Sequence, residues 1–181
     1  GVTTMWMDEG LDTGDIFLQE PIAIRQEWTS YDLFRELSHL GGNLLLKTLS
    51  HIKSGNLIRK SQDHEKSTYA PMLKKQDGKI YWLKNTQEIH NLIRGTYPWP
   101  GAYTVRNDCE IKIWKARPYS IGKELAPGKF MGLIKNEGFV VGTGDGYILV
   151  TELQKAGGKR MKATEYLAGH KIKEGDSFAD A

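Results

Sequence analysis

Residues 7–15 read Met7-Asp8-Glu9-Gly10-Leu11-Asp12-Thr13-Gly14-Asp15, which places four carboxylates and two glycines within nine positions. An apolar run precedes this stretch at residues 2–7, and another follows it at residues 16–18. The pattern predicts a strand, a tight acidic loop and a second strand. Because glycines and charges concentrated at a strand end are typical of a functional site, we expect chemistry here and rank Asp12 first.

The spacing of the acidic loop leaves three interpretations open. Clustered carboxylates suit a hard cation, but the stretch lacks the acidic last position of an EF-hand loop. A carboxylate can instead hold a catalytic histidine in one tautomer and favour its protonated form. Such acids can also simply bond loop amides. No pair among the five histidines has His-x₃-His spacing and none is an obvious partner for Asp12, so we expect such a histidine upstream of residue 1.

Length and composition are those of an ordinary soluble globular protein, and 181 residues suffice for one large domain or two small ones. No apolar run approaches the ~20 residues that a membrane span needs, and the first residues lack the pattern of a signal peptide. We therefore expect no membrane partner. The single cysteine, Cys109, excludes an intramolecular disulfide and a cysteine-cluster metal site, and it favours a reducing compartment.

The net charge of +3 is unevenly distributed along the chain. Residues 1–63 carry six Lys/Arg and nine Asp/Glu, whereas residues 64–181 carry nineteen Lys/Arg and thirteen Asp/Glu. An acidic first part joined to a basic second part indicates two domains with different partners. The basic part could meet a polyanion such as nucleic acid, or it could be a solvated lysine-rich surface, and charge alone does not decide between them.

The first part is predicted to end in a long amphipathic helix. Thr29 or Ser30 can cap its N-terminus, apolar residues recur at steps of three and four over residues 33–52, and Gly55 ends it. Two strands and one helix bury too little apolar surface to be stable alone. We therefore expect residues 1–58 to be the end of an α/β domain whose earlier strands lie outside this chain, followed by an extended linker at 59–79.

The second part, residues 80–181, is predicted to be all-β. Asn85 or Thr86 caps a short helix at 87–94. Turn signals then separate short strands at residues 102–106, 110–116, 128–135, 138–142 and 147–153. Antiparallel strands at this spacing indicate a small barrel with an OB-like topology, and residues 161–169 are predicted to form one short helix.

Basic residues cluster in two places. The first cluster lies in the linker and contains Lys74 and Lys75. The second lies beside Gly157-Gly158 and contains Lys159, Arg160 and Lys162. A glycine-bearing loop with several positive charges suits a phosphate backbone, although a solvated loop has the same composition.

Taken together, these segments resemble a known family. Residues 1–16 are similar to the late signature of the formyltransferases that use 10-formyltetrahydrofolate, and the remainder resembles one branch of them, the methionyl-tRNA formyltransferases. The segments that carry the resemblance are 1–16, 89–102 with its Pro98-Trp99-Pro100 turn, 111–116, 126–128, 142–146, 153–161 and 169–178, the last of which includes Glu174. The resemblance implies the tail of a Rossmann-like formyltransferase domain, a linker and an OB-like tRNA-binding domain.

The resemblance also implies an activity, which is transfer of a formyl group from the co-substrate 10-formyltetrahydrofolate to the amino group of initiator methionyl-tRNA, without a metal. Asp12 matches the Asp of the family's catalytic Asn-His-Asp trio. The Asn and His belong to an earlier segment, so we expect this chain alone to be inactive. By the same resemblance, the residues that border the folate pterin are Asp8, Glu9, Gly10 and Leu11.

For the tRNA, the resemblance assigns phosphate contacts to Lys74, Lys75, Lys159, Arg160 and Lys162. Met72 stands where family members often carry Lys, so one linker contact departs from the family pattern. The resemblance implies a cytoplasmic enzyme of bacterial type, with an organellar location left open, that is a monomer when full length.

Two alternative classes of function remain open, one within the same fold and one outside it. Within the same fold, the chain could belong to a hydrolase or dehydrogenase acting on 10-formyltetrahydrofolate, or to a sugar-nucleotide formyltransferase, since these share the Asp12 loop. The Pro98-Trp99-Pro100 turn and the basic loop favour the tRNA enzyme. Outside it, the chain could be a non-catalytic RNA-binding module whose acidic loop is structural.

Overall fold

The computed structural model describes residues 1–56, 58–122, 124–173 and 175–178. Leu57 of the predicted first domain and Glu174 of the terminal motif lie outside the described residues. The chain divides into two compact units, Gly1–Met72 and Leu73–Ala181. The division falls inside the segment predicted as a linker, while the predicted domain boundaries at 58 and 80 stay predictions.

The first unit contains two antiparallel strands, β1 (Val2–Met5) and β2 (Ile16–Glu20), and one helix, α1 (Ser30–Lys53). Thr29 caps α1, as the sequence predicts. Its hydroxyl accepts from the Asp32 backbone N–H at 3.3 Å, and the Asp32 carboxylate accepts from the Thr29 N–H at 3.0 Å. This reciprocal pair satisfies two amide groups that would otherwise lack partners at the helix start. The bonds from Thr29 also lower the pKa of Asp32.

Helix α1 lies against the two strands with one side only. Leu44 and Thr48 are buried there, and the Thr48 hydroxyl is 2.8 Å from the Thr4 hydroxyl of β1. Outside this contact the helix exposes large apolar side chains, namely Tyr31, Phe34, Leu45, Leu46, Leu49 and Ile52. A helix that is apolar over more than one face is typical of one covered by further structure, in agreement with the expected end of an α/β domain.

In the residues that the structure describes, the second unit contains one antiparallel sheet and two α-helices. Its elements are α2 (Thr86–Gly95), β3 (Ala102–Arg106), β4 (Cys109–Tyr119), β5 (Phe130–Ile134), β6 (Gly138–Gly142), β7 (Tyr147–Lys155), β8 (Met161–Lys162) and α3 (Ala163–Gly169). The sheet order is β3-β4-β7-β6-β5, and β8 pairs with β7. All ladders between the described strands of this sheet are antiparallel, which confirms an α/β segment followed by an antiparallel β domain.

The core of the second unit lies between the sheet and both helices. Ile89 and Ile93 of α2 contribute to it, and the rings of Phe139 and Phe178 stack at 5.4 Å between centroids. Buried Trp82 donates its indole N–H to Thr104 at 3.0 Å, which satisfies a polar group that burial would otherwise penalise.

Most predicted elements of this unit are present, with longer or shifted ends. Asn85 caps α2, and β3 and β6 have the predicted bounds. Residues 161–162, predicted as helix, form β8, because they pair with Glu152 and Leu153 of β7. Closure into an OB-like barrel stays a prediction: among the described strands, the edge strands β3 and β5 form no ladder with each other.

The segment predicted as an extended linker at 59–79 contains short 3₁₀ turns at His64–Lys66 and Lys75–Gly78. Lys60 forms an antiparallel bridge with Ile16, and Lys79 bridges Tyr103. Its two ends are therefore tied to the units that they adjoin. None of the helices in the described part of the chain combines the length and apolarity that crossing a bilayer requires.

Candidate functional site

The acidic loop connects β1 to β2 and is closed at its base by a backbone bond. The Trp6 N–H donates to the Asp15 carbonyl at 2.9 Å. Gly14 is buried beneath this bond, and a Cβ there would collide with the Trp6 carbonyl oxygen. The glycine is thus required by the close approach of two backbone segments.

Asp8 is bonded within the loop. Its Oδ1 accepts from the Thr13 hydroxyl at 2.5 Å and from the Gly10 N–H at 3.1 Å. Asp8 therefore has the loop-bonding role that the sequence left open for any of the acids. Glu9, Gly10 and Leu11 lie at the exposed tip, where Leu11 leaves 93% of its surface accessible.

Asp12 differs from the other acids of the loop. Its φ is 58°, in the left-handed region, which Asp tolerates better than most residues. The side chain is exposed, and its carboxylate makes no hydrogen bond with any residue in the described part of the chain. A carboxylate so placed is free to accept from an external partner, as a catalytic or binding acid must be.

Four residues that the sequence analysis assigned to the linker lie against this loop. They are Arg59, Lys60, Ser61 and Gln62, and we call them the strap. The Gln62 amide donates to the carbonyls of Asp12 at 2.8 Å and Gly14 at 2.7 Å. The Ser61 hydroxyl donates to the Asp15 carboxylate at 3.1 Å. Their polar, non-periodic sequence gave no signal for these contacts.

An open cleft of about 360 Å³ lies between the strap and the loop. The Arg59 guanidinium lies over the Trp6 ring, 4.0 Å from its centroid, on one wall. His64 and the acids Asp8 and Asp15 also line the cleft, whereas Asp12 is not among its lining residues. The cleft is therefore lined by other residues of the loop and does not include the Asp12 carboxylate.

The histidines do not complete a catalytic group with Asp12. None of them bonds Asp12 in the described residues, and His90 is buried between α2 and the sheet. Burial, with a smaller effect of the nearby Arg94 charge, lowers the pKa of His90 below its ordinary value. The described residues contain no group of three or more His, Cys, Asp or Glu arranged to hold a metal; a metal-free reaction stays a prediction.

The basic residues predicted to meet tRNA occupy two regions of the second unit. Lys74 is exposed, and Lys75 lies 3.6 Å from the Glu110 carboxylate. Lys159 and Lys162 are exposed and form no ion pair within the described residues. Three of these four ammonium groups are thus available to an external anion.

Arg160 is engaged in the protein itself. Its Nε and Nη2 donate to Glu152 Oε2 at 2.7 and 2.6 Å, and its Nη1 donates to the Tyr97 hydroxyl at 3.2 Å. Burial lowers the pKa of Arg160, but the bonds to Tyr97 and Glu152 outweigh burial and raise it above its ordinary value. The geometry gives Arg160 an anchoring role, and its predicted phosphate contact stays a prediction.

Aromatic residues that the sequence analysis did not list as site residues surround Arg160. The guanidinium lies 5.4 Å from the Tyr97 ring centroid and 5.6 Å from that of Trp114, and the two rings meet edge to face at 5.8 Å. The Trp114 indole N–H donates to the Gln154 side chain at 3.0 Å. The aromatic turn at 97–100 was the only sequence signal for this cluster.

Two family models match this chain. One, described as "Formyl transferase, C-terminal domain", matches residues 72–171, more than half of the chain, and one described as "Formyl transferase" matches residues 1–49. A methionyl-tRNA formyltransferase of Ruminiclostridium cellulolyticum is 42% identical over 180 residues, which cover 98% of this chain and 57% of that protein. The chain spans a little over half the length of this curated relative.

Several solved structures are similar as well. HypX of Aquifex aeolicus, in complex with tetrahydrofolic acid, has a TM-score of 0.68 at 18% identity and covers 99% of this chain and 33% of HypX. An N-formyltransferase of Helicobacter canadensis, in complex with folinic acid and dTDP-3-aminofucose, has a TM-score of 0.65 at 25% identity over 82% of this chain and 54% of that protein. The chain therefore belongs to the formyl transferase family: residues 1–49 come from its formyl transferase domain and residues 72–171 form its C-terminal domain.

Proposed function

We propose that this chain is the C-terminal part of a methionyl-tRNA formyltransferase, which transfers a formyl group from 10-formyltetrahydrofolate to the amino group of initiator methionyl-tRNA. The observation that carries the proposal is the exposed Asp12 carboxylate, which has no hydrogen bond in the described chain. It lies on a loop whose sequence matches the formyl transferase model. The 42% identity to a methionyl-tRNA formyltransferase over nearly the whole chain supports this substrate over others.

In the proposed reaction the methionyl amine attacks the formyl carbon. The new C–N bond forms, the bond from that carbon to N10 of the folate breaks, and the proton that the amine loses is balanced by the one that N10 takes up to give tetrahydrofolate. Asp12 orients a histidine that lies outside these 181 residues, in a segment that the longer relatives contain. A neighbouring carboxylate favours the charged imidazole, and preorganised donors then stabilise the oxyanion of the tetrahedral intermediate.

For the folate, the proposal assigns Asp8, Glu9, Gly10 and Leu11 to the border of the pterin. Asp8 would contribute by shaping the loop, since its carboxylate already accepts hydrogen bonds from Thr13 and Gly10. Leu11 offers an almost fully exposed apolar side chain to a planar ring. The neighbouring structures with tetrahydrofolic and folinic acid support a folate-type ligand for the fold.

For the tRNA, the proposal assigns phosphate contacts to five basic residues. The exposed ammonium groups of Lys74, Lys159 and Lys162 are best placed for this, because they have no ion pair among the described residues. Lys75 would have to exchange Glu110, and Arg160 would have to share its donors with Glu152 and Tyr97. We infer a cytoplasmic location and, for the full-length protein, a monomer.

The test is a formylation assay on a full-length enzyme that contains this chain. Asp12→Asn removes the charge and keeps the shape, so we expect the rate to fall by about 10²–10⁴-fold, the usual weight of one acid–base group. Asp15→Asn is the matched control, because Asp15 lies in the same loop but bonds Ser61. A rate within a few-fold of wild type for Asp12→Asn would refute the catalytic assignment. The 181-residue chain alone should show no turnover.

The structure with dTDP-3-aminofucose keeps a sugar-nucleotide formyltransferase as the second candidate. A hydrolase or dehydrogenase of 10-formyltetrahydrofolate shares the same loop. Offering methionyl-tRNA, a dTDP-amino sugar and water as formyl acceptors separates these reactions, and we expect turnover with methionyl-tRNA. Salt-dependent tRNA binding without folate binding or transfer in the full-length protein would instead indicate a non-catalytic RNA-binding module.

A further inference from the structure

We propose that Gln62 is a positioning residue for Asp12: its side-chain amide fixes the backbone from which the Asp12 carboxylate projects. The inference rests on the proposed catalytic role of Asp12. Gln62 lies outside both family models, because one ends at residue 49 and the other begins at residue 72.

The first observation is that a single side-chain amide bonds the backbone at both ends of the turn formed by residues 12–14. Gln62 Nε2 donates to the Asp12 carbonyl at 2.8 Å and to the Gly14 carbonyl at 2.7 Å. A primary amide has two N–H donors, so both bonds can form at once. The two hydrogen bonds bridge this turn and fix the distance between the Asp12 and Gly14 carbonyl groups.

The second observation concerns what holds the Asp12 backbone. Its φ of 58° lies in the left-handed region, which costs a residue other than glycine some energy although Asp tolerates it better than most, so a contact to this backbone helps to fix it. The Asp12 carboxylate itself makes no bond in the described chain, so it does not hold the residue in place. Among the described contacts, the Gln62 bond to its carbonyl is the one that does.

The third observation is that Gln62 is itself held. Lys60 and Ile16 exchange backbone bonds at 2.8 and 3.1 Å, the Ser61 hydroxyl donates to Asp15 at 3.1 Å, and Arg59 lies over the Trp6 ring. Gln62 is half-buried and therefore has few alternative orientations. The strap thus presents the amide in a fixed place, which is the arrangement expected for preorganisation of a functional group.

The experiment measures kcat and KM for both substrates in the full-length enzyme. Gln62→Met keeps the length and removes both donors. Because small misplacements at a reacting centre are costly, we expect kcat to fall about 10-fold or more, with KM for tRNA and folate within about twofold. Gln62→Glu also removes the donors but adds a negative charge, so a matching loss in both variants excludes an effect of charge. Ser67→Ala, at an exposed position further along the same segment, is the control, and its kcat should stay within about threefold.

A double-mutant cycle separates positioning from a merely structural role. If Gln62 acts through Asp12, Gln62→Met should cost less than about threefold in the Asp12→Asn background, because the effects of residues that act as a unit do not multiply. A full additional loss in that background, or a wild-type kcat for Gln62→Met, would overturn the inference. If Asp12→Asn itself keeps wild-type activity, the proposed catalytic role of Asp12 fails instead, whatever Gln62 does.

Discussion

Replacing Glu152 by Gln should destabilise the second unit by removing the charge that anchors Arg160. In β7, the Glu152 carboxylate accepts two bonds from the Arg160 guanidinium, at 2.6 and 2.7 Å, and lies 2.7 Å from the Lys115 ammonium. Glutamine has the same length but offers a single neutral acceptor. Arg160 would keep its contact with the Tyr97 hydroxyl and lose its counter-ion.

The expected cost follows from the exposure of the partners. Charge-assisted hydrogen bonds contribute about 1.5–3 kcal/mol when well shielded, whereas exposed ion pairs contribute about 0–1 kcal/mol. The side chains of Glu152 and Arg160 are 24% and 35% exposed, and that of Lys115 is 62% exposed. The Arg160 pair is thus between the two limits and Lys115 is near the lower one, so we expect a loss of about 1 kcal/mol at pH 7.

The pKa of Glu152 predicts how the stability difference between wild type and Glu152→Gln changes with pH. Burial raises the pKa of Glu152, but Lys115 and Arg160 outweigh it and hold the pKa below the ordinary 4.5. A group whose pKa is lowered on folding stabilises the fold above its unfolded pKa, and this stabilisation is lost as pH falls through the folded value. Wild type and Glu152→Gln should therefore differ at pH 7 and converge in acid, below both values.

Urea unfolding of the chain, followed by tryptophan fluorescence and circular dichroism, measures the difference. Lys115→Gln is the matched control: it removes the exposed partner of the same carboxylate and should change the unfolding free energy by less than about 0.5 kcal/mol. High salt should reduce the Glu152→Gln effect only partly, since the pair is half-shielded. Equal stabilities at pH 7, or a difference that persists in acid, would refute the electrostatic account.

Three further predictions concern the same unit. Gly138→Ala should cost about 1–3 kcal/mol of unfolding free energy, because a Cβ there would collide with the Val150 carbonyl oxygen; a fully stable variant would disprove the close packing. Thr104→Val should cost about 1–3 kcal/mol in urea unfolding, since it removes the acceptor of the buried Trp82 N–H while keeping the shape, and an unchanged midpoint would contradict this. Lys159→Ala should lower the slope of log tRNA affinity against log salt by about 1, with Lys135→Ala as the control and an unchanged slope as the refuting result.

Much of the fold could be predicted because local patterns determine it. Apolar steps of three and four define α1, the Thr29 and Asn85 caps set the starts of α1 and α2, and turn residues separate the strands. These signals lie within a few residues of the features that they set. The antiparallel sheet follows from them because short strands joined by tight turns pair with their neighbours.

The parts that sequence reasoning missed depend on pairing between distant segments. β4 extends to Tyr119 and β7 to Lys155 because each strand continues as long as the other offers partners. β8 is a strand because it pairs with the part of β7 that continues beyond β6, although its residues read as helix. Likewise, the basic residue Arg160 pairs with Glu152, eight positions away, and nothing in its own neighbourhood distinguishes it from Lys159.

The sequence ranks Asp12 first among the four acids of the loop, but it gives no physical measure that separates them. Composition and spacing are shared by all four, and only the resemblance to the formyltransferases singles out Asp12. The structure distinguishes two of them by the bonds of their carboxylates: Asp8 bonds Thr13 and Gly10, and Asp15 bonds Ser61, whereas Glu9 and Asp12 have no such bond in the described chain. Asp12 alone combines a carboxylate without a bond in the described chain with a left-handed backbone tied to Gln62. Within the acidic loop, this combination marks Asp12 as an acid whose charge is not used by the protein's own contacts, which supports the role proposed for it.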